Sequence, residues 1–338
     1  MSLIRGTNLA QGHFEYPKDW GQGSRGILAG GGHAGESNWT QRIDYITIAT
    51  NANSADFGDT SSYGGMSGAC GRGRGILAGG HNNAGTGSMT YYNDIKFITI
   101  AKPGNSIDFG DLTRVTTHAA AVSNGTRALI CGGRDKWDTL SGTTYTDMTY
   151  INIATPGNST TYGNIASGAI GGHDSPLTTG ATGPCVDATG NGIYGMVQCA
   201  NGNFDYMNIA VNGNSARFGN LVTTRQNYTF SGAVSNGTRA IWTTGDAGKM
   251  DVMTWETPAV ATLFAKYYTV NGHSAYRNVG CDDGSSGILW GGNSVGKAMF
   301  RFSMDYVGSS SAMIGTDIGD FYCSYSYLRY DTTSFAGN

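Results

Sequence analysis

Three histidines, His33, His81 and His173, each follow a Gly-Gly pair. A neutral imidazole can ligate zinc or carry a proton near neutral pH, so this residue type at recurring places invites a metal or acid–base reading. Places related by a repeat are spread around a fold rather than gathered, and the simpler expectation is three exposed loop histidines. Asp and Glu total 24 of 338 residues, and few of them are placed in pairs suited to acid–base work. The pattern assigns no catalytic residue, no metal ligands and no cofactor.

Recognition is the better candidate. Trp39, Tyr91, Tyr92 and Trp137 lie in polar, Gly-rich stretches, and His173 and Asp174 lie in another. Exposed Trp and Tyr suit sugar rings or protein hot spots. The alternative is that these aromatics cap apolar gaps between packed elements. The six cysteines (70, 131, 185, 199, 281 and 323) form no CxxC, and Ala128-Leu129-Ile130-Cys131 puts one inside an apolar strand pattern, so they read as buried free thiols.

Composition narrows what must position these residues. The chain has 54 Gly and only 13% charged residues, yet 39% hydrophobic residues, including 19 Tyr, 12 Phe and 6 Trp. Disordered chains lack that apolar content, whereas many short strands joined by glycine turns have it. A net charge of −3 offers no basic field for nucleic acid. No apolar run approaches the ~18 residues of a membrane span, and the N-terminus lacks a signal-peptide core. Folding in a reducing cytoplasm is expected.

Self-comparison sets the architecture. Arg25-Gly26-Ile27-Leu28-Ala29-Gly30-Gly31 returns as Arg74-Gly75-Ile76-Leu77-Ala78-Gly79-Gly80, with weaker copies from Arg127, Asn191, Arg239 and Ser286. An alternating apolar segment follows in the first four units, at 43–50, 95–102, 148–155 and 204–211. A third element supplies Phe57, Phe109, Tyr162 and Phe218, each twelve residues after Tyr45, Phe97, Tyr150 and Tyr206. The same spacing extends to Val252/Phe264 and Tyr306/Ile318. Asn124-Gly125 and Asn236-Gly237 separate apolar runs, which predicts type I′ hairpin turns. Each unit thus reads as strand A, turn, strand B ending in Gly-Gly, strand C and strand D.

Four-stranded units cannot hide their faces alone, and radial packing around an axis does so. The expected fold is all-β: a six-bladed propeller of four-stranded antiparallel blades over 21–320. Strand B begins near 25, 74, 127, 191, 239 and 286. Residues 1–20 would be an N-terminal docking segment. Residues 321–338 would form a closing strand for blade one or a tail. Strand order puts B–C and D–A loops on one face, and the B–C loops at 32–42, 81–94 and 134–147 are long. An insertion at 166–180 joins them there. Long variable loops on a rigid scaffold are where recognition is usually placed. The recurring arginines at 25, 74, 127 and 239 read as structural, bonding carbonyls or acids between blades.

Where Arg114 or Arg225 in an expected A strand leads to strand B and Gly-Gly, the pattern resembles the kelch repeat, although strand C ends in I-A-T-P-G-N-S rather than in a tryptophan-bearing segment. Ser54-Ala55-Asp56-Phe57-Gly58 superficially resembles a sialidase Asp box, but the following Thr-aromatic pair is missing. The residue types of a galactose-oxidase-like copper site occur without a spacing that singles them out. The string I-A-T-P-G-N-S-x-x-F-G-D-L-T, best seen in 95–133 and 148–165, is similar to a repeat of virion structural proteins of tailed bacteriophages. That resemblance implies a non-enzymatic tail, fibre or capsid-surface protein, present in many copies. Its implied partners are other virion proteins and a host-surface glycan or protein. A purely architectural role and a carbohydrate-active enzyme are the alternatives.

Overall fold

The computed structural model describes residues 24–31, 40–62, 64–82, 89–136, 142–167, 187–199, 203–220, 232–243, 249–256, 262–267, 278–291, 298–306, 313–320 and 333–337. Every regular element among them is a β-strand, and six antiparallel sheets form the blades. Blade two consists of Ser67–Gly71 (A), Arg74–Ala78 (B), Asp94–Thr99 (C) and Ile107–Asp111 (D). Blade three consists of Ala120–Ser123, Arg127–Cys131, Asp147–Asn152 and Thr160–Asn164 in the same order. Blade one takes its B, C and D strands from Arg25–Ala29, Arg42–Thr47 and Ala55–Asp59, and its A strand from Thr333–Gly337 at the other end of the chain. The A strands lie side by side in a closed circle from blade one through blade six and back. The fold is a six-bladed β-propeller.

Burial explains the strand sequences. B strands such as Arg25–Ala29 and Arg127–Cys131 are buried at every position after the first, because a neighbouring blade covers each face. D strands at the rim bury a single residue, as in Ala55–Asp59, where only Phe57 is covered. The apolar core is divided among the blade boundaries. Ile27, Ile43 and Phe57 of blade one meet Leu77, Ile98 and Ile100 of blade two, and comparable clusters fill the other five boundaries. Cys70, Cys131, Cys199 and Cys281 lie within these clusters as free thiols, and burial pushes the first two and Cys281 well above the usual thiol range.

Every C–D pair carries a β-bulge at the same place. The extra residue is Phe57, Phe109, Tyr162, Phe218, Phe264 or Ile318, and the bulge turns each of these side chains into a blade boundary. The twelve-residue spacing follows from it. Tyr45 and Phe57 pack edge to face at 5.9 Å, Phe97 and Phe109 at 6.0 Å, and Tyr206 and Phe218 at 5.5 Å.

The structure departs from the repeat in four places. Among the described residues, only the Arg72-Gly73 turn has positive φ at both central residues (51° and 73°). At Asn124-Gly125 the glycine alone is positive, and the Asn124 Oδ1 accepts from the Thr126 and Arg127 amides instead. Strand B of blade four begins at Tyr194, because Asn191 is such a turn residue, accepting from the Ile193 and Tyr194 amides. In blade six, strand C is Ala298–Ser303, with Arg301 rather than Tyr306 opposite Ile288, since a longer C–D connection shifts the spacing. Arg114 lies outside the A strand Ala120–Ser123, in the loop that precedes it. Arg225 lies outside the described residues.

Candidate functional site

The face carrying B–C and D–A loops is more built up over blades two and three than the repeat requires. Strand B of blade two passes through Gly79-Gly80 into His81–Asn82, which pairs with Thr90–Tyr91 as a short ribbon. His81 also bridges to Gly64, in the loop entering blade two. The next residue, Gly65, accepts at its carbonyl from the His118 amide at 2.7 Å and from the Thr117 hydroxyl at 3.3 Å. Thr117 bridges to Arg134, and Arg134 bridges to Thr144 in the B–C loop of blade three. Six short segments are therefore linked edge to edge across two blades, forming a shelf above the propeller.

Side chains lock the shelf from within. His81 is fully buried, so it is not the exposed loop histidine expected from its place after Gly-Gly. The ribbon folds it inward, where its ring stacks on His118 at 5.8 Å and meets the Tyr91 ring edge-on at 6.0 Å. His118 has a positive φ of 54°, uncommon outside glycine, and its Nδ1 lies 3.0 Å from the Thr117 hydroxyl. A non-glycine residue in this region costs of order 1 kcal/mol or more, and the surrounding bonds hold it there. Gly65 admits this packing: a Cβ on it would lie 2.9 Å from the His81 ring.

The outer part of the shelf is polar and half exposed. Both terminal nitrogens of the Arg114 guanidinium engage the Asp147 carboxylate, one of them at 2.5 Å, and the guanidinium carbon sits 3.5 Å above the Tyr145 ring. Burial, then Asp135, pushes the Tyr145 hydroxyl above its ordinary pKa. Tyr91 and Tyr92 are partly exposed at the ribbon, and the Tyr92 backbone is fixed by bonds to Gly80 and Thr116. Of the six residues expected to bind, Tyr91 and Tyr92 thus stand together here. Trp39, Trp137, His173 and Asp174 lie outside the described residues.

Thr117, His118 and Arg134 were not candidates in the sequence. The polar run Thr116-Thr117-His118, just before an A strand and shared with no other unit, is the signal that marks them. Among the described residues, no group of three or more His, Cys, Asp or Glu is arranged to hold a metal, and no helix is long and apolar enough to cross a membrane. The arrangement offers a rigid surface with aromatic edges, one arginine–carboxylate pair and hydroxyl groups, which suits reversible binding of a polar ligand.

The repeated motifs have a different task. The Arg25 guanidinium reaches the Ile100 carbonyl of blade two at 2.8 Å, Arg74 reaches Ile153 of blade three at 3.0 Å, and Arg127 reaches Ala210 of blade four at 3.0 Å. These bonds hold blades together, so the repeat explains the scaffold and the unrepeated shelf stands apart from it.

The ring of six antiparallel blades places the chain in the class of six-bladed β-propellers. One solved structure it resembles is that of YjhT, with a TM-score of 0.60 and 11% identity, covering 90% of this chain and 99% of that one. This likeness concerns the fold. No protein-family model matches the chain, and no curated protein matches it.

Proposed function

We propose that the chain is a non-enzymatic binding propeller of a tailed-bacteriophage particle, whose loop face recognises a host-surface glycan or protein. The observation that carries the recognition half is the shelf. Its edge-linked segments from Thr90–Tyr91 to Thr144 fix an unrepeated surface before any ligand arrives. Preorganisation of this kind lowers the entropic cost of binding. The virion half rests on the similarity of the I-A-T-P-G-N-S repeat to phage structural proteins, and on a chain low in charge and rich in Asn, Ser and Thr, a composition that suits persistent exposure. The kelch-like character of the repeat belongs to the same reading. Other virion proteins would hold the propeller, in many copies per particle, and its final location would be the virion.

Two measurements test the halves separately. Cryo-electron microscopy of the particle encoding the gene should show the propeller with residues 81–94 and 134–147 turned to solvent. Its absence from the particle rejects the virion assignment, and burial of those loops against capsid or tail makes the role architectural. Binding of purified protein to host cell-surface polysaccharide should weaken at least tenfold in a Tyr91→Ala/Tyr92→Ala variant. Equal binding by wild type and variant rejects the shelf as the recognition surface.

A further inference from the structure

The A–B turns of blades three to six are built alike, and one of them lacks a bond that the others have. Asn124, Asn191, Asn236 and Asp283 each turn a side-chain oxygen onto the amides two and three residues ahead. The glycine after each has nearly the same φ, at 81°, 83°, 86° and 84°. In blades three, five and six, the residue before the pair also accepts that glycine's N–H. Ser123 Oγ takes it from Gly125 at 2.8 Å, Ser235 Oγ from Gly237 at 3.1 Å, and the Asp282 carboxylate from Gly284 at 3.2 Å. Blade four has Gly190 at this position, and among the described residues nothing accepts the Gly192 N–H.

The cause lies in blade three. A Cβ on Gly190 would stand 2.8 Å from Val122 Cγ2, and one on Gly195, its partner across the hairpin, 2.7 Å from Val122 Cγ1. Val122 thus fills the space that a serine would need.

In an Asn-Gly pair the glycine nitrogen can attack the asparagine side chain. The attack needs a nitrogen free to give up its proton and a carbonyl that can carry negative charge on its oxygen. At Asn191 the Ile193 and Tyr194 amides donate to Oδ1 at 3.1 and 2.8 Å, a two-donor arrangement that stabilises an oxyanion. Bonds to amides beyond Gly192 also keep the side chain beside the Gly192 nitrogen, and an intramolecular step gains from such placement. Asn124 and Asn236 have the same donors, but there a serine holds the glycine N–H. The Asn236 Nδ2, the group that must leave, also donates to Asp305 at 2.8 Å. Asn212-Gly213, in a C–D turn, is held by the Gly213 N–H bond to the Tyr162 carbonyl at 3.1 Å.

We infer that Asn191 is a site of self-modification, which deamidates through a succinimide faster than the other described Asn-Gly pairs. The Gly192 nitrogen bonds to Asn191 Cγ, water carries its proton to Nδ2, and Nδ2 leaves as ammonia. A second water then opens the imide, giving aspartate where the new bond breaks and isoaspartate where the original peptide bond breaks. Gly192 is half-buried and Ile193 is exposed, so water reaches the turn. Either product adds a negative charge. The isoaspartate also adds a carbon to the backbone of a turn closed by the Asn191 N–H bond to the Tyr194 carbonyl at 3.0 Å. This goes beyond the loop-face reading and does not depend on it.

The test is incubation of the folded full chain in mildly alkaline buffer, followed by mass mapping of chymotryptic peptides for conversion of amide to acid. Cleavage after Tyr194 separates Asn191 from Asn201. Asn191 is expected to convert about fivefold or more faster than Asn124, Asn212 and Asn236, the factor that one hydrogen bond supplies. Ser123→Ala frees the Gly125 N–H and should raise the Asn124 rate by about the same factor, leaving Asn236 unchanged. In urea, where no turn is held, the rates should converge. Equal rates at Asn191 and Asn124 in the folded chain overturn the inference. An unchanged Asn124 rate in Ser123→Ala does so too, because the free glycine N–H would not then be the cause. A preference for Asn191 that persists in urea would belong to the local sequence and would equally reject the turn as its source.

Discussion

Asn105 Oδ1 accepts the backbone N–H of Asp59 at 3.0 Å, joining the C–D turn of blade two to the D strand of blade one. The same bond recurs from Asn158 to Asp111 at 3.0 Å and from Asn214 to Asn164 at 2.9 Å. Asn53 makes it to Asp320 at 3.0 Å, joining blade one to blade six. The serine after each asparagine completes the clasp, as when the Ser106 amide donates to the Asp59 carbonyl at 2.8 Å. The D strands are the sheet edges exposed at the rim, and unpaired edge groups invite pairing with other chains. Here the Asn-Ser pair in the C–D turn of the following blade occupies the D strands of blades one, two, three and six.

Removing one clasp should therefore weaken one boundary without dismantling a blade. Asn105→Ala leaves the Asp59 amide without its acceptor and is expected to cost about 1–2 kcal/mol. Asn105→Asp retains an acceptor and should cost less. Chemical denaturation of the two variants beside wild type checks the order, and equal stability of all three would mean the clasp contributes nothing.

The glycines on either side of this joint should respond in opposite ways. Gly58 has φ +146°, and a Cβ on it would lie 2.5 Å from the Gly104 carbonyl carbon, a backbone atom that cannot swing aside. Gly104 has nothing within 4 Å of its own Cβ position. Gly58→Ala is expected to lose about 2–4 kcal/mol through backbone strain and the blade clash. Gly104→Ala should stay within about 1 kcal/mol of wild type. Comparable midpoints for the two variants in a urea melt would contradict this geometry.

Much of this scaffold is legible in the sequence because it is built from contacts that repeat. Arg-Gly-Ile-Leu-Ala-Gly-Gly marks a B strand covered on both faces, and the Tyr45–Phe57 contact across a bulged C–D pair keeps its spacing from unit to unit. The same logic failed where a unit differs. Tyr306 matches the spacing yet falls after the C strand Ala298–Ser303, because a spacing rule cannot see a lengthened connection. It packs instead on Phe264 of blade five at 5.9 Å. The shelf was less visible still. Tyr91 and Tyr92 drew attention as aromatics, but His81 and His118 meet only because loops from two blades are joined through Gly64, Gly65 and Thr117, a relation with no sequence period.

Acid–base linkage should be readable at Asp282. Its carboxylate accepts the Ser235 amide at 3.0 Å and the Gly284 amide at 3.2 Å, but burial outweighs these bonds and pushes its pKa up to about 7. An unfolded aspartate titrates near 3.9. Between roughly pH 4 and pH 7 the folded chain holds a proton that the unfolded chain has released, so stability falls as pH rises through that window and levels off above it. Asp282→Asn removes this contribution. The unfolding free energy of wild type should decline between pH 5 and pH 8 by about 1–3 kcal/mol more than that of the variant. Asp187, also raised by burial, should retain a slope of the same sign in Asp282→Asn. Parallel pH profiles for wild type and variant would remove Asp282 as a source of the dependence.

Blade one is the one blade whose strands come from both ends of the chain. Thr333–Gly337 pairs antiparallel with Arg25–Ala29, with Gly337 opposite Arg25 and Phe335 opposite Ile27. It also lies beside the A strands of blades two and six. Deleting 321–338 removes five residues of sheet, uncovers the fully buried Ile27 and opens the inner circle. A loss of roughly 5 kcal/mol or more is expected, lowering the melting temperature by about 10 °C or more. The position of the strand in the chain should matter less than its presence. Because Gly337 ends opposite Arg25, a permuted chain that carries 333–337 ahead of Arg25 through a short Asn-Gly turn would build blade one in the manner of blades two and three. Scanning calorimetry of the intact, truncated and permuted chains separates the effects. Recovery of most of the lost stability on permutation would assign it to the strand, whereas a truncated chain that melts with wild type would show that blade one holds with three strands.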